Sequence, residues 1–229
     1  MHNEVRAKMK TYATLLVTVC VCLLGCRAVA ASTQEGNPSA SVTLEQVQEE
    51  LRVAAQEVET LQSDIVQEKH LQMFSETLES RGKFIFARPD KLRWEILEPV
   101  ASGFVLRGDA GTRWNALSEE REDFSIDSDP VMGVVAQQLL AWARVDMEWL
   151  KTRYTMEVVE AEPVTLRLVP RDAAEAEMIE SLTIVFAPQR SHVAEVVMRE
   201  QGGDWTRMRF THVEVNAELP AHAFQAPEF

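Results

Sequence analysis

The sequence predicts an α+β protein built mainly from antiparallel β-strands. Short runs of alternating apolar and polar residues, separated by turn residues, recur from residue 82 to the end, and such runs mark half-buried strands. Only two long stretches show helical spacing instead. The chain has 229 residues, 46% of them apolar, enough for one domain with a full core and short for two.

The sharpest alternation lies in Gly82–Pro99, GKFIFARPDKLRWEILEP. Phe84 and Phe86 fall on one face, and after Arg88-Pro89-Asp90 the pattern resumes with Leu92, Trp94 and Ile96 on one face and Lys91, Arg93 and Glu95 on the other. Pro89 cannot donate to a ladder, so it marks the break between two strands that share an apolar surface.

The N-terminus reads as an export signal over residues 1–30. Polar, net basic residues precede the apolar run Ala13–Leu24, which is too short to span a membrane comfortably. Two processing sites compete. Ala28-Val29-Ala30 fits cleavage before Ala31, which is the expected outcome, and Leu23-Leu24-Gly25-Cys26 has the form of a lipobox that leaves Cys26 acylated. All three cysteines (Cys20, Cys22, Cys26) lie here, so the exported body holds no disulfide framework. Residues 31–41, rich in Ser, Gly, Asn, Pro and Ala, read as a flexible tether before a domain over residues 42–229. The net charge is −13, which disfavours nucleic acid and anionic membrane surfaces as partners.

Thr43-Leu-Glu-Gln46 has capping-box form and starts a helix whose seam runs through Leu44, Val47, Leu51, Ala54, Val58 and Leu61. An ordinary amphipathic helix on a sheet and a movable lid share this pattern. Asp64–Leu78 reads as one strand, with a loop near Ser80–Gly82. Gly103–Arg107 and Thr112–Leu117 bracket a hairpin turn at Gly108–Gly111, and Glu119–Ile126 is a further strand. Asp129-Pro130 opens a second helix, Val131–Arg144, apolar nearly all round and so expected to be covered on most sides; Asp146–Leu150 adds an apolar turn. Tyr154–Glu160, Val164–Val169, Met178–Phe186, Val193–Glu200 and Trp205–Val215 read as antiparallel strands, with a turn at Gly202-Gly203-Asp204.

No phosphate-cradling glycine loop, nucleophile elbow or metal-binding histidine motif occurs, so neither catalysis nor a cofactor is expected. His212 and Glu214 share a strand face, where a solvated pair is the expected reading, and Asp129 is better explained as a helix cap than, with Asp127, as a fragment of a calcium loop. The strands present large apolar residues on one side. Either a second layer forms an ordinary core over them or a curved sheet makes a deep apolar cavity, and composition fits both.

The block Gly82…Arg88-Pro89-Asp90…Arg93-Trp94…Pro99 resembles the core signature of the periplasmic lipoprotein carriers, the LolA-like family. The order of features also resembles it across most of Leu44–Phe224: Gln67-Glu68-Lys69, the Gly108…Trp114 hairpin, the Asp-Pro helix, and Phe210-x-x-Val213-x-x-Asn216-x-x-Leu219. The resemblance implies an unclosed half β-barrel with helices as lid or plug over a hydrophobic concave face. It implies an acylated lipoprotein or other lipid as cargo, an inner-membrane ABC-type release complex or lipid exporter as donor, an outer-membrane acceptor, and a periplasmic location. Phe84, Phe86, Leu92, Trp94, Ile96, Phe104, Leu106 and Trp114 are then expected to line the cavity, Val134, Leu139 and Trp142 to belong to the lid or plug, and Arg88 to latch the lid through helix backbone. The long tether and the lipobox-like Cys26 depart from the family pattern; they fit a membrane-tethered acceptor. A carrier of another lipid or glycolipid, and a scaffold with an ordinary core, are the further alternatives.

Overall fold

The structure, a computed structural model, describes residues 43–74 and 76–228. The expected signal, lipobox and tether lie outside the described residues.

Helix α1 (Leu44–Gln56) opens with the expected capping box: the Gln46 backbone N–H donates to Thr43 Oγ1 and the Thr43 N–H to Gln46 Oε1. It buries Val47, Leu51 and Ala55. Eleven strands follow: β1 (Thr60–His70), β2 (Thr77–Ala87), β3 (Lys91–Glu98), β4 (Ser102–Arg107), β5 (Ala110–Asn115), β6 (Glu120–Ser125), β7 (Tyr154–Ala161), β8 (Val164–Pro170), β9 (Ile179–Phe186), β10 (Val193–Glu200) and β11 (Trp205–Val215). Between β6 and β7 lie α2 (Pro130–Arg144) and α3 (Met147–Arg153), and a single turn, α4 (Ala173–Ala176), precedes β9.

All eleven strands form one antiparallel sheet in the order β6-β5-β4-β3-β2-β1-β11-β10-β9-β8-β7. It consists of two meanders, β1–β6 and β7–β11, joined where the first strand pairs with the last. The edge strands β6 and β7 are consecutive in the chain yet do not pair, so the barrel is unclosed, and α2 and α3 connect its two edges. One face of the sheet carries the core together with α1, α2 and α3.

Several expectations change. The helical seam stops at Gln56, and Leu61 belongs to β1, so Val58 and Leu61 reach the core from a loop and a strand. Asp64–Leu78 is not one strand: it turns over between His70 and Thr77 at a tip with no Gly, Pro, Asn or Asp to announce it. Ser80–Gly82 is β2 rather than loop, because Gly82 marks a close approach. A Cβ there would lie 1.9 Å from the Glu95 carbonyl oxygen of the paired strand. Finally, α2 is not covered all round, since Val131 and Val134 are 48% and 53% exposed.

Candidate functional site

Strand register assembles the concave face. Phe84 pairs with Trp94 and Phe86 with Leu92 across β2 and β3. Trp94 then pairs with Phe104 and Leu92 with Leu106 across β3 and β4. These six are buried in one cluster with Leu139 and Trp142 of α2, and half-buried Ile96 packs against it. The rings meet edge to face, Phe84 with Trp94 at 6.2 Å and with Phe210 of β11 at 5.6 Å. Ser63, opposite Phe84 on the intervening β1, is small enough to let Phe84 reach across.

Two expected residues are not brought to this face. Trp114 pairs with Gly103, not with Phe104, which puts it on the convex side. There it is buried against Arg93, whose guanidinium lies 5.2 Å from the ring centroid and donates to the Ala223 and Gln225 carbonyls of the C-terminal tail. Gly103 makes room for it: a Cβ there would come within 2.9 Å of the indole. Val134 points to solvent from the first half of α2.

Arg88 sits at the β2–β3 turn and reaches the C-terminal end of α1. Its Nε donates to the Val58 carbonyl at 2.7 Å and its Nη2 to the Ala55 carbonyl at 2.8 Å. Helix ends leave carbonyls without i+4 partners, and a fixed fork of N–H donors reaches one of these, Ala55, together with the Val58 carbonyl of the following connection. The Arg88 backbone N–H adds a bond to the Glu59 carbonyl at 2.9 Å.

A second tie on α1 was not legible in the sequence. Arg190, in the left-handed region at the β9–β10 turn (φ 61°), bonds to Glu50 of α1 and stands 3.4 Å from Glu162 in the β7–β8 turn. It joins the helix to two hairpins of the other meander. Its side chain is 30% exposed, so Arg190→Ala is expected to cost no more than about 1 kcal/mol in a thermal melt. The same variant should raise amide exchange around Glu50, measured by mass spectrometry.

His212 pairs with Asp64 (Nδ1 to Oδ2, 3.0 Å), while Glu214 accepts from Gln62, so the two residues do not form a site together. Asp129 caps α2 through Met132 N and receives Arg113 Nη1 at 2.7 Å. The hydroxyl oxygen of buried Tyr154 lies 2.8 Å from both Gln138 Oε1 and Glu175 Oε1, and burial together with the Glu175 carboxylate pushes its phenol well up. These polar contacts hold α2 and the β8–β9 connection to β7.

An unclosed antiparallel barrel with helices across an apolar concave face is the architecture of LolA-like proteins. The chain belongs to that family: residues 56–227 match the family described as Outer membrane lipoprotein carrier protein LolA. Among solved structures it resembles an uncharacterized conserved protein from Thermus thermophilus, with a TM-score of 0.51 at 8% identity over 80% of this chain and 93% of that one. It is also similar to a LolA superfamily protein from Nitrosomonas europaea (TM-score 0.45, 10% identity, 81% and 99% covered). The Mycobacterium tuberculosis lipoprotein LppX is a further neighbour (TM-score 0.41, 11% identity, 77% and 100% covered). No curated protein matches the sequence. Among the described residues no helix is long and apolar enough to cross a membrane.

Proposed function

We propose that this chain is a periplasmic carrier that shields the acyl chains of lipoproteins between the inner and the outer membrane. The observation that carries the reading is Arg88 tying the end of α1, whose Val47, Leu51 and Ala55 share one core with the aromatic face, through hydrogen bonds of 2.8 Å to the Ala55 carbonyl and 2.7 Å to the Val58 carbonyl just after the helix. An acyl chain in water costs about 0.8 kcal/mol per CH₂, so transit requires an apolar cover that can open. The face of Phe84, Trp94 and Phe104 supplies the cover and α1 the lid. In this reading cargo displaces α1 by competing for the same surface, and an acceptor that favours the open form draws the cargo out.

An inner-membrane ABC-type complex as donor and an outer-membrane acceptor follow from the same reading. So does the division of the chain into a signal over residues 1–30, a tether over 31–41 and a carrier domain from 42. The Leu23–Cys26 lipobox and the tether support a second reading, an outer-membrane acceptor anchored through Cys26.

Native mass spectrometry of the protein taken gently from its own periplasm tests both. Co-purified triacylated protein is the expected result. A small lipid or glycolipid changes the cargo, and a protein that remains empty when offered acylated peptides overturns the carrier reading. The mass of the N-terminal peptide separates a chain starting at Ala31 from one acylated at Cys26.

A further inference from the structure

On the concave face the two meanders meet at β1 and β11, and near the end of this seam remote from Arg88 and α1 the surface turns polar. Lys69 of β1 and Thr206 of β11 are direct cross-strand neighbours, 5% and 3% exposed. From β10, Glu200 brings Oε1 to 3.5 Å from Lys69 Nζ. The two charges attract, but that oxygen accepts no hydrogen bond, and Thr206 Oγ1 is also buried without a partner. An unpaired buried polar group costs about 1–3 kcal/mol, so this cluster is expensive unless something completes it.

Its chemistry restricts what that is. Lys69 offers three N–H donors, Thr206 a hydroxyl, and Glu200 an acceptor. Asp204 lies beside Glu200 at the β10–β11 turn: its backbone carbonyl accepts the Glu200 N–H at 2.9 Å, and its carboxylate accepts the Gln72 backbone N–H at 2.7 Å. Burial and the Asp204 charge both push the Glu200 carboxyl up, while Lys69 opposes them. The Lys69 ammonium is already paired with the Glu200 carboxylate, which leaves no surplus positive charge for a phosphate. A neutral, oxygen-rich group with ester carbonyls fits the donors. The cluster lies one strand in from exposed surface: Leu78, the β2 neighbour of Lys69, is 53% exposed.

We propose that Lys69, Thr206 and Glu200 form a head-group site for the ester-bearing glycerol head of an acylated cargo, with the chains lying along Ile65, Phe84 and Trp94. The inference rests on the carrier reading and adds to it the class of head group accepted: neutral acylglycerol heads, not phosphorylated ones.

The test compares four ligands on the purified protein: N-phenyl-1-naphthylamine, which is apolar and lacks an ester; dioctanoylglycerol; dioctanoyl phosphatidylglycerol; and a dioctanoylglyceryl-cysteine dipeptide. Thr206→Val removes the hydroxyl at constant shape, and the double variant Lys69→Met/Glu200→Gln removes both charges together, so that neither is stranded. Each is expected to lower the ratio of dioctanoylglycerol affinity to naphthylamine affinity about tenfold, the value of one or two hydrogen bonds. A parallel loss for the dipeptide assigns the site to lipoprotein heads, and a loss confined to dioctanoylglycerol assigns it to free acylglycerols. An unchanged ratio in both variants, or a wild-type protein that prefers phosphatidylglycerol, overturns the inference and leaves the carrier reading standing. A wild-type protein that takes up none of the four ligands removes the carrier reading itself. Thermal melts of each variant accompany the titrations, and the ratio is read only from folded protein.

Discussion

Arg88→Leu is expected to free the C-terminal end of α1 and to cost about 2 kcal/mol of stability. The variant removes two charge-assisted donors, one to the Ala55 carbonyl in the last turn of α1 and one to the Val58 carbonyl just beyond it; Ala55 keeps the Val58 N–H at 3.2 Å, while Val58 loses the guanidinium donor. The barrel itself should persist, because its ladder and aromatic core do not depend on the guanidinium. Hydrogen exchange should therefore show lost protection over Leu51–Gln56 with little change in β2 and β3. Uptake of N-phenyl-1-naphthylamine should become faster, since the helix covering the face no longer has its anchor. Arg88→Lys is expected to recover only part of the effect, because a single ammonium cannot span the Ala55 and Val58 carbonyls as the planar fork does. If exchange over α1 is unchanged in the leucine variant, Arg88 is a strand-end residue and the latch is removed from the mechanism.

How much of this was legible in the sequence depends on the distance over which each feature is encoded. Local signals read correctly. Thr43 and Gln46 form their capping box, Asp129 caps α2, and the alternation of Phe84, Phe86, Leu92, Trp94 and Ile96 puts all five on the core face. The β1–β2 turn carries little local signal, because Leu71–Glu76 holds no Gly, Pro, Asn or Asp and only one weaker turn former, Ser75. The cavity position that the family resemblance implies for Trp114 is not the one it takes, since it pairs with Gly103. The register could have corrected the expectation. A two-residue turn at Gly108-Asp109 pairs Arg107 with Ala110, and that register carries Trp114 opposite Gly103. The inward position on β5 falls instead to Arg113, opposite Phe104 and bonded to Asp129 at the start of α2. What no local pattern encodes is the closure of the two meanders through β1 and β11. Lys69 and Glu200, or Glu50 and Arg190, meet only once that pairing exists.

The paired substitutions Trp94→Ala and Trp114→Ala separate lining from packing. Both indoles are 2% exposed, so each truncation opens a cavity of similar size and is expected to cost about 3–5 kcal/mol, read from denaturant midpoints. Their consequences for binding should differ, because the sheet lies between them. Trp94 is an element of the aromatic surface with Phe84 and Phe104, whereas Trp114 lies on the convex side beneath Arg93, which in turn bonds to the C-terminal tail. In buffer where both variants remain folded, Trp94→Ala is expected to weaken uptake of N-phenyl-1-naphthylamine at least tenfold, through lost apolar contact and through collapse of neighbouring rings into the vacated space. Trp114→Ala should bind the same probe as the wild type does. Equal losses in the two variants would mean that binding follows global stability and that the concave face is not the site. A loss in Trp114→Ala alone would move the site to the convex face, where the tail would then be a competitor for the ligand instead of a cover for the sheet.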